Sequence, residues 1–299
     1  MNEIDKVDGY NQYKSHVCDL CGHDQPIEIP NCRLYTGNQP IHVCGNCGFV
    51  YVRNRRSSEE IARVWSDQIY GDLYTAIKNP AMISRQTFVA EFLAKNVAIS
   101  GKNICDIGAG EGFFLNYLRD EYKVKPFGIE PSNHNSALLS DQCIPNFEGT
   151  AEQFIKSSNG RGYKADIVSI MWTLENCQSC LDMLNVANEI LPIGGKLIVA
   201  TGSRILVPFK KPLFKYFSKN PADSHSFRFS ANAIKTALAK THFKTIHINS
   251  YVDNDILCVI AKKVSPEEEL KPIKDMPLEV INFFERWHHE SVHYLREWS

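Results

Sequence analysis

Asn103-Ile-Cys-Asp-Ile-Gly-Ala-Gly-Glu-Gly112 is the most informative stretch of the sequence. It starts as a short apolar strand, passes through three alternating glycines, and is followed by the helical pattern FFLNYLRDEY. Glycines at a strand-to-helix turn let the backbone approach a ligand closely, and the helix N-terminus adds N–H donors. The spacing G-x-G-x-G differs from the G-x-G-x-x-G fingerprint of dinucleotide sites. We therefore predict a ligand-binding turn of another kind.

A second apolar strand, 126–130, ends in the carboxylate of Glu130, which could accept hydrogen bonds from both hydroxyls of a ribose. Helical patterns separate the earlier strands, so the chain is predicted to form an alternating α/β sheet that ends in an antiparallel hairpin. Ligands of such sheets bind at the carboxyl ends of the strands. The strands are expected at 103–107, 126–130, 166–171, 196–201, 244–251 and 256–262.

Five stretches occur in a characteristic order: Cys105–Gly112, Gly128–Ser132, Gly149–Glu152, Ala165–Asn176 and Leu191–Val199. In this order they resemble the motifs of class I S-adenosylmethionine-dependent methyltransferases, and the resemblance covers about 100–262. It implies a Rossmann-like sheet with helices on both faces and S-adenosylmethionine as cofactor. One departure is Asn176, where many relatives carry histidine. The cofactor-binding residues implied are Asp106, Gly108, Ala109, Gly110, Phe113, Glu130, Pro131, Ala151, Glu152, Met171 and Trp172.

Four of the ten cysteines form two pairs, Cys18-x2-Cys21 and Cys44-x2-Cys47. In a reducing compartment this spacing is typical of a metal site rather than of disulfides. Four thiolates suit tetrahedral Zn²⁺, and such closed sites serve structure because no coordination position remains for water. We therefore predict a structural zinc ribbon over 17–56.

The ribbon and the tyrosine-rich connector that follows it resemble those of the sugar C-methyltransferases that act on deoxysugar nucleotides. His225-Ser-Phe-Arg-Phe-Ser230 is similar to their E-H-L-x-Y-F-S stretch. The resemblance implies that His225, Tyr70 and Tyr74 lie near the acceptor, and we expect His225 to be the general base. Glu175, at the end of a predicted strand, is expected to position the acceptor together with the two tyrosines. Ser224 stands where those enzymes have glutamate, so methylation of carbon, oxygen or nitrogen all remain open. A histidine that only hydrogen-bonds a lid backbone is the competing hypothesis for His225.

The segment 203–229 is basic, with six lysines and arginines against Asp223. A basic lid at the carboxyl ends of the strands would attract an anionic small-molecule acceptor. Alternatives are a helix that only packs and a helix that lies on a membrane surface. The predicted organisation is a ribbon at 17–56, a helical connector at 57–101, a methyltransferase domain at 102–263 with the insert 203–229, and a helical tail at 264–299.

Two further motifs receive structural interpretations. Cys177-x2-Cys180 lies at a predicted helix start without a thioredoxin-like context. His289–His293 matches the H-E-x-x-H zinc pattern, but it lies close to the end of the chain. A helix over 277–298 explains it better, with Leu278, Ile281, Phe284, Val292 and Leu295 on an apolar docking stripe that could also form a homodimer.

The charge balance bears on partners and location. Lys+Arg is 33 and Asp+Glu is 34, which argues against a nucleic-acid partner, although a methyltransferase acting on RNA through the ribbon stays an alternative. A non-catalytic binding protein of the same fold is a third hypothesis. The longest apolar runs are too short for a bilayer span, and the N-terminus lacks the apolar core of a secretion signal. We expect a cytoplasmic protein.

Overall fold

The computed structural model describes residues 13–66, 80–207, 211–217, 225–250 and 256–297. In chain order the strands are β1 Lys14–Ser15, β2 Pro26–Glu28, β3 His42–Cys44, β4 Val50–Tyr51, β5 Asn54–Arg55, β6 Asn103–Ile107, β7 Lys125–Glu130, β8 Asn146–Glu148, β9 Ile167–Met171, β10 Lys196–Thr201, β11 Phe227–Arg228, β12 Phe243–Ile248 and β13 Leu257–Lys263. The helices are α1 Ser58–Val64, α2 Pro80–Asn96, α3 Phe113–Tyr122, α4 Asn133–Asp141, α5 Ala151–Lys156, α6 Cys180–Ile190, α7 Leu213–Tyr216, α8 Ala231–Lys240 and α9 Pro277–Glu297.

A seven-stranded sheet with the order β12-β13-β10-β9-β6-β7-β8 forms the centre of the molecule. Pairing is parallel from β10 to β8, and β13 runs antiparallel to both β10 and β12. All five residues of β9 are buried, as expected for a strand covered on both faces. The prediction of a Rossmann-like α/β sheet with a final antiparallel hairpin is therefore confirmed.

Helices cover both faces of this sheet. The apolar residues of α2, α3 and α4 pack on one face, and those of α5, α6 and α8 pack on the other. Ser132, Thr150, Ser179 and Ser230 each cap a helix by accepting a hydrogen bond from a backbone N–H in its first turn. Ser132, Thr150 and Ser179 start their helices after the loops that leave the carboxyl ends of β7, β8 and β9, so these loops converge at that edge.

The cysteine-rich ribbon forms a second sheet, and one of its strands comes from far along the chain. The strand order is β11-β4-β3-β2, with β11 antiparallel to β4. Phe227 pairs with Tyr51 and Arg228 with Val50. The end of the segment that the sequence suggested as an insert of the methyltransferase domain thus completes the ribbon sheet.

The C-terminal helix α9 packs against α7 and β3 of its own chain. The buried apolar side chains in its described part are Val280, Phe284 and Trp287, whereas Leu278 is 67% exposed. The Ser291 hydroxyl accepts the backbone N–H of Leu213 at 2.7 Å. The expected docking helix is present, but its packed face is rotated away from Leu278. A homodimer through this helix stays a prediction.

Within the described residues, no helix has the length and apolar character needed to cross a membrane.

Candidate functional site

The glycine turn after β6 is shaped for close approach. Gly108 has φ +77°, and a Cβ atom there would collide with the side chain of Thr173. Gly110 has φ +55° and no atom within 4 Å of its missing Cβ position, so it borders open space. Both conformations favour glycine. A ligand can therefore approach the backbone at Gly110, while Gly108 leaves room for the adjacent strand end.

Glu130 ties the end of β7 to this turn. Its Oε2 accepts the backbone N–H of Gly110 at 2.7 Å, and its Oε1 accepts that of Ser132 at 2.8 Å. The side chain is 4% exposed, and burial raises its pKa above the usual range. Each carboxylate oxygen can accept more than one hydrogen bond. Glu130 can therefore hold the turn and still accept hydrogen bonds from a ligand.

Asp106 is buried at the end of β6. The hydroxyl of Ser169 on β9 donates to its Oδ1 at 2.6 Å. Burial raises the pKa of Asp106 to about 8, and the nearby charge of Glu130 adds to this effect. A cationic ligand would favour the ionised carboxylate.

Two adjoining cavities lie at the carboxyl ends of the strands. The larger has a volume of about 310 Å³ and the smaller about 110 Å³. Both are lined by Trp65, Gly108, Trp172, Thr173 and Asn176. Of the predicted site residues, the larger cavity is lined by Asp106, Gly108, Ala109, Gly110, Phe113, Met171, Trp172, Glu175 and His225, and the smaller by Gly108, Glu130, Pro131, Ala151, Glu152 and Trp172. Tyr70 and Tyr74 lie outside the described residues.

Trp172, directly after β9, lines both cavities in an unusual backbone conformation. Its φ is +54°, in the left-handed region that non-glycine residues rarely adopt. Its N–H donates to the carbonyl of Ala200 at 2.8 Å, and its own carbonyl accepts from Nδ2 of Asn176 at 2.8 Å. Backbone strain of this kind clusters at binding sites. Here it directs the carbonyl of Trp172 toward Asn176.

Glu175 is fully buried in the short 3₁₀ helix Leu174–Asn176. Its Oε1 accepts the N–H of Gly202 at 3.3 Å, and the side chain of Thr201 also lies beside the carboxyl. Burial raises the pKa of Glu175 to about 7. The side chain lines the larger cavity, so its carboxyl can accept or donate a proton there near neutral pH.

His225 lies on the same cavity, and its Nδ1 is 2.8 Å from Oδ1 of Asn176. Burial lowers the pKa of His225 to about 3, and the positive charges of Arg228 and Lys211 add to this effect. The imidazole is therefore neutral at physiological pH. The backbone carbonyl of His225 accepts a hydrogen bond from the guanidinium of Arg228 at 3.0 Å, and this contact fixes the local backbone.

The ribbon supports the segment that carries His225. Besides the pairing of β11 with β4, the Arg55 guanidinium lies 4.7 Å from the ring centre of Phe227. Arg55 also forms an ion pair with Asp19 at 2.9 Å, and both side chains are less than one tenth exposed. Asp19 immediately follows Cys18, so the chain of contacts runs from the cysteine cluster to the histidine.

The four predicted metal ligands meet in that cluster. The Sγ atoms of Cys18, Cys21, Cys44 and Cys47 all lie within 4.8 Å of one another. The Cys18–Cys47 and Cys21–Cys44 sulfur pairs are 3.5 and 3.4 Å apart. A tetrahedral zinc with bonds of about 2.3 Å separates its sulfurs by about 3.8 Å. The spacing of the thiols therefore fits Zn²⁺.

The two halves of the cluster share one turn geometry. Gly22 and Gly48 both have φ +72°. Their N–H groups donate to the carbonyls of Cys18 and Cys44 at 2.8 and 2.9 Å. Each CxxCG segment thus turns tightly around its pair of thiols, in a backbone conformation that favours glycine.

The basic insert is only partly a cavity lining. Lys211 and Lys215 line the larger cavity, as expected for a lid. Arg204 and Arg228 instead are buried, at 8% and 3% exposure. Arg204 donates to the carbonyl of Ile256 at 3.0 Å, and Arg228 lies 4.9 Å from the ring centre of Phe217. These two arginines support the fold and line neither of the two cavities.

Sequence reasoning missed other lining residues. Trp65, Arg85 and Gln86 reach the larger cavity from the connector, and Tyr216 reaches it from α7. Isolated residues in a segment without motifs carry no signal of this role, because only the packing of the connector over the sheet edge brings them there.

The two remaining motifs have structural explanations. Cys177 and Cys180 are buried, and burial raises the pKa of both thiols well above the usual range, which makes them unreactive. His289 and His293 are exposed on α9. Within the described part of the chain, the ribbon cysteines are the group whose ligand atoms lie close enough to hold a metal.

A family model for the methyltransferase domain matches residues 83–248. No curated protein matches the chain. Among solved structures, the chain is similar to one from the complex of the Haloferax volcanii Trm112 methyltransferase activator with a candidate methyltransferase, at 13% identity and a TM-score of 0.52, covering 71% of this chain and 100% of that one.

It is also similar to a candidate O-methyltransferase from Nostoc punctiforme, at 16% identity and a TM-score of 0.50, covering 62% of this chain and 57% of that one. The [4+2]-cyclase SpnF is similar at 12% identity and a TM-score of 0.51, covering 70% of this chain and 96% of that one. These similarities concern the fold alone. One of the three proteins, SpnF, is a cyclase.

Proposed function

Because this chain belongs to the methyltransferase domain family and is an S-adenosylmethionine-dependent methyltransferase, we propose an acceptor for it. The proposed acceptor is a small anionic molecule of the sugar or nucleotide-sugar class. The main observation in support of this proposal is the pair of adjoining cavities. The smaller one contains the Glu130 carboxylate, and the larger one contains His225 together with Lys211 and Lys215. This arrangement provides separate places for a nucleoside and for an anionic acceptor.

Glu130 is proposed to hold the ribose of the cofactor. Its position in the lining of the smaller cavity and its contact with the turn support this role. Pro131, Ala151 and Glu152 line the same cavity and would border the adenine.

The methionine end of the cofactor would lie along the turn Gly108–Gly110, with Asp106, Phe113 and Met171 around it. The carboxyl of Asp106 borders this cavity, and a positively charged ligand there would favour its ionised form. Trp172 lines both cavities and would lie between the two ends of the cofactor.

Bound S-adenosylmethionine supplies an electrophilic methyl group. The protein aligns the acceptor with it and removes a proton where the acceptor requires this. His225 is the proposed base, because its neutral ring borders the larger cavity. Glu175, which lines the same cavity, is proposed to position the acceptor. Tyr70 and Tyr74 keep their proposed roles on the strength of the sequence resemblance alone.

An anionic acceptor is favoured by the cations around the larger cavity. Lys211, Lys215 and Arg85 line it. Burial raises the pKa of Glu175 to about 7, so the negative charge of this residue is reduced near neutral pH. The three cations can then contact phosphate or carboxylate groups of an acceptor. The acidic residues of the same lining are Asp106, Glu111 and Glu175.

The ribbon is proposed to bind one structural Zn²⁺ through Cys18, Cys21, Cys44 and Cys47. The spacing of the four sulfurs and the paired glycine turns support this. With all four positions taken by thiolates, the metal would serve structure only.

The test is a transfer assay with methyl-labelled S-adenosylmethionine and three acceptor sets: nucleotide sugars, uncharged sugars and RNA. We expect labelled product with the nucleotide sugars. The Lys215→Ala variant should raise KM for the acceptor, whereas Lys240→Ala at the exposed end of α8 should leave it unchanged. Label in RNA alone, or in uncharged sugars alone, would overturn the proposed acceptor class.

A further inference from the structure

Asn176 lies between Trp172 and His225, and its hydrogen bonds to these two residues allow its amide only one orientation. Its Nδ2 lies 2.8 Å from the carbonyl oxygen of Trp172. A carbonyl oxygen only accepts hydrogen bonds, so the amide atom facing it must be the NH₂ group. The amide oxygen Oδ1 consequently faces His225.

The orientation of the amide determines which nitrogen of His225 carries the proton. Oδ1 of Asn176 lies 2.8 Å from Nδ1 of the imidazole. An amide oxygen has no proton to donate, so Nδ1 must be the donor and carry the hydrogen. In a neutral imidazole the other nitrogen, Nε2, then has a free lone pair.

We propose that Asn176 is a positioning residue that holds His225 in the Nδ1–H tautomer, so that Nε2 can accept a proton from the acceptor in the larger cavity. The inference rests on the proposed function for its catalytic meaning. The amide of an asparagine transfers no proton, but it can orient a neighbouring base.

The backbone of Trp172 supports this assignment. Its positive φ places a carbonyl opposite Asn176, at the cost of a conformation that side chains disfavour. The strained Trp172 fixes the amide of Asn176, and this amide in turn fixes the imidazole of His225. The chain of contacts ends at the cavity where the acceptor is proposed to bind.

Burial keeps His225 neutral in the absence of an acceptor by lowering its pKa, and the positive charges of Arg228 and Lys211 add to this effect. Lys215 and Glu175 line the same cavity as Lys211. An anionic acceptor beside the two lysines would offset their charge and raise the basicity of Nε2. The base would thus be strengthened when its acceptor is bound.

The tautomer can be measured without any acceptor. Protein labelled with ¹⁵N-histidine and saturated with S-adenosylhomocysteine is examined by long-range ¹H–¹⁵N correlation NMR, and His225 is assigned by comparison with His225→Gln. We expect a protonated Nδ1 and an unprotonated Nε2 at pH 7. An Nε2–H tautomer in the wild-type protein would overturn the inference directly.

Three variants connect the tautomer to function. Asn176→Asp keeps an acceptor for Nδ1–H, so it should keep the tautomer and raise the pKa of His225 by adding a negative charge. Asn176→Ala should give a mixture of tautomers and lower kcat by at least about tenfold. Asn188→Ala removes another side chain that donates to a carbonyl, that of Thr241 at 2.8 Å, and should change neither quantity.

Failure of this inference differs from failure of the proposed function. Unchanged kcat in Asn176→Ala, with the tautomer also unchanged, contradicts the positioning role. A protein that shows the Nδ1–H tautomer and its loss in Asn176→Ala supports the assignment of Asn176, even if the transfer assay overturns the sugar-class acceptor.

Discussion

Val52 in the ribbon donates its backbone N–H to the carbonyl oxygen of Ser226 at 2.8 Å, and Ser226 is the residue directly after His225. The next two residues, Phe227 and Arg228, continue this contact as a strand of the ribbon sheet. The ring of Phe227 also stacks on Phe49 with centroids 5.6 Å apart. The ribbon is therefore part of the framework of the candidate site, and its folding is coupled to the position of the proposed base.

The first prediction follows from this coupling. Replacing Cys44 by Ser should remove the bound zinc, about one ion per chain, and lower the melting temperature, because metal binding contributes to folding. We also expect a loss of turnover while the affinity for S-adenosylhomocysteine changes by less than about threefold, since the ribbon contacts β11 rather than the glycine turn.

Elemental analysis, thermal melting and calorimetry measure these three effects. Cys143→Ser is the matched control, because Cys143 is an exposed thiol outside the cluster. Wild-type protein without zinc, or a Cys44→Ser protein with unchanged zinc content, would refute the metal site.

The second prediction concerns the cofactor. Glu130→Ala removes the proposed hydrogen bonds to the ribose, each worth roughly 1.5–3 kcal/mol, and it also frees the N–H groups of Gly110 and Ser132. Calorimetry should show binding of S-adenosylmethionine weakened at least about tenfold. Glu148→Ala, at the exposed end of β8, should bind as the wild type does. Equal affinity in both variants would place the cofactor elsewhere.

The third prediction concerns the base. His225→Ala should lower kcat by about 10²–10⁴-fold, the usual cost of losing a general base, and leave cofactor affinity within about threefold. His247→Ala, an exposed histidine on β12, serves as the control. Turnover near the wild-type value would mean that His225 only supports the loop, and it would favour an acceptor that needs no base, such as a neutral amine.

The fourth prediction is a pH dependence of stability. Burial raises the pKa of Glu175 from 4.5 to about 7, so between these values the folded protein binds more protons than the unfolded one. The free energy of unfolding therefore falls as pH rises through this window, by up to about 3 kcal/mol for this group. Glu175→Gln stays uncharged and avoids that loss.

The melting temperature of Glu175→Gln relative to that of the wild type should consequently be higher at pH 8 than at pH 5, by several degrees. Other buried groups, such as Asp106 and His225, contribute to both proteins and cancel in the comparison. Glu148→Gln should show the same difference from wild type at both pH values. A Glu175→Gln difference that does not change with pH would show that the carboxyl ionises normally in the folded chain.

Local sequence patterns were sufficient for most of the central sheet. The strands expected at 103–107 and 196–201 agree with β6 and β10, because a buried strand between two helices carries a continuous apolar run. The glycine turn was equally visible, since its conformations favour glycine at fixed spacing. The short edge strand β8 was missed, because its three residues are too few to show a pattern.

The candidate site divides in the same way. From the sequence alone, Glu130 could be placed near the glycine turn and the four cysteines grouped as a cluster, because each depends on a motif of fixed spacing. Only the tertiary structure joined Asn176 to His225, 49 positions apart, and made Phe227–Arg228 a strand of the ribbon. These contacts depend on how segments far apart in the sequence pack against each other. Such packing produces no periodic pattern in the sequence of either segment.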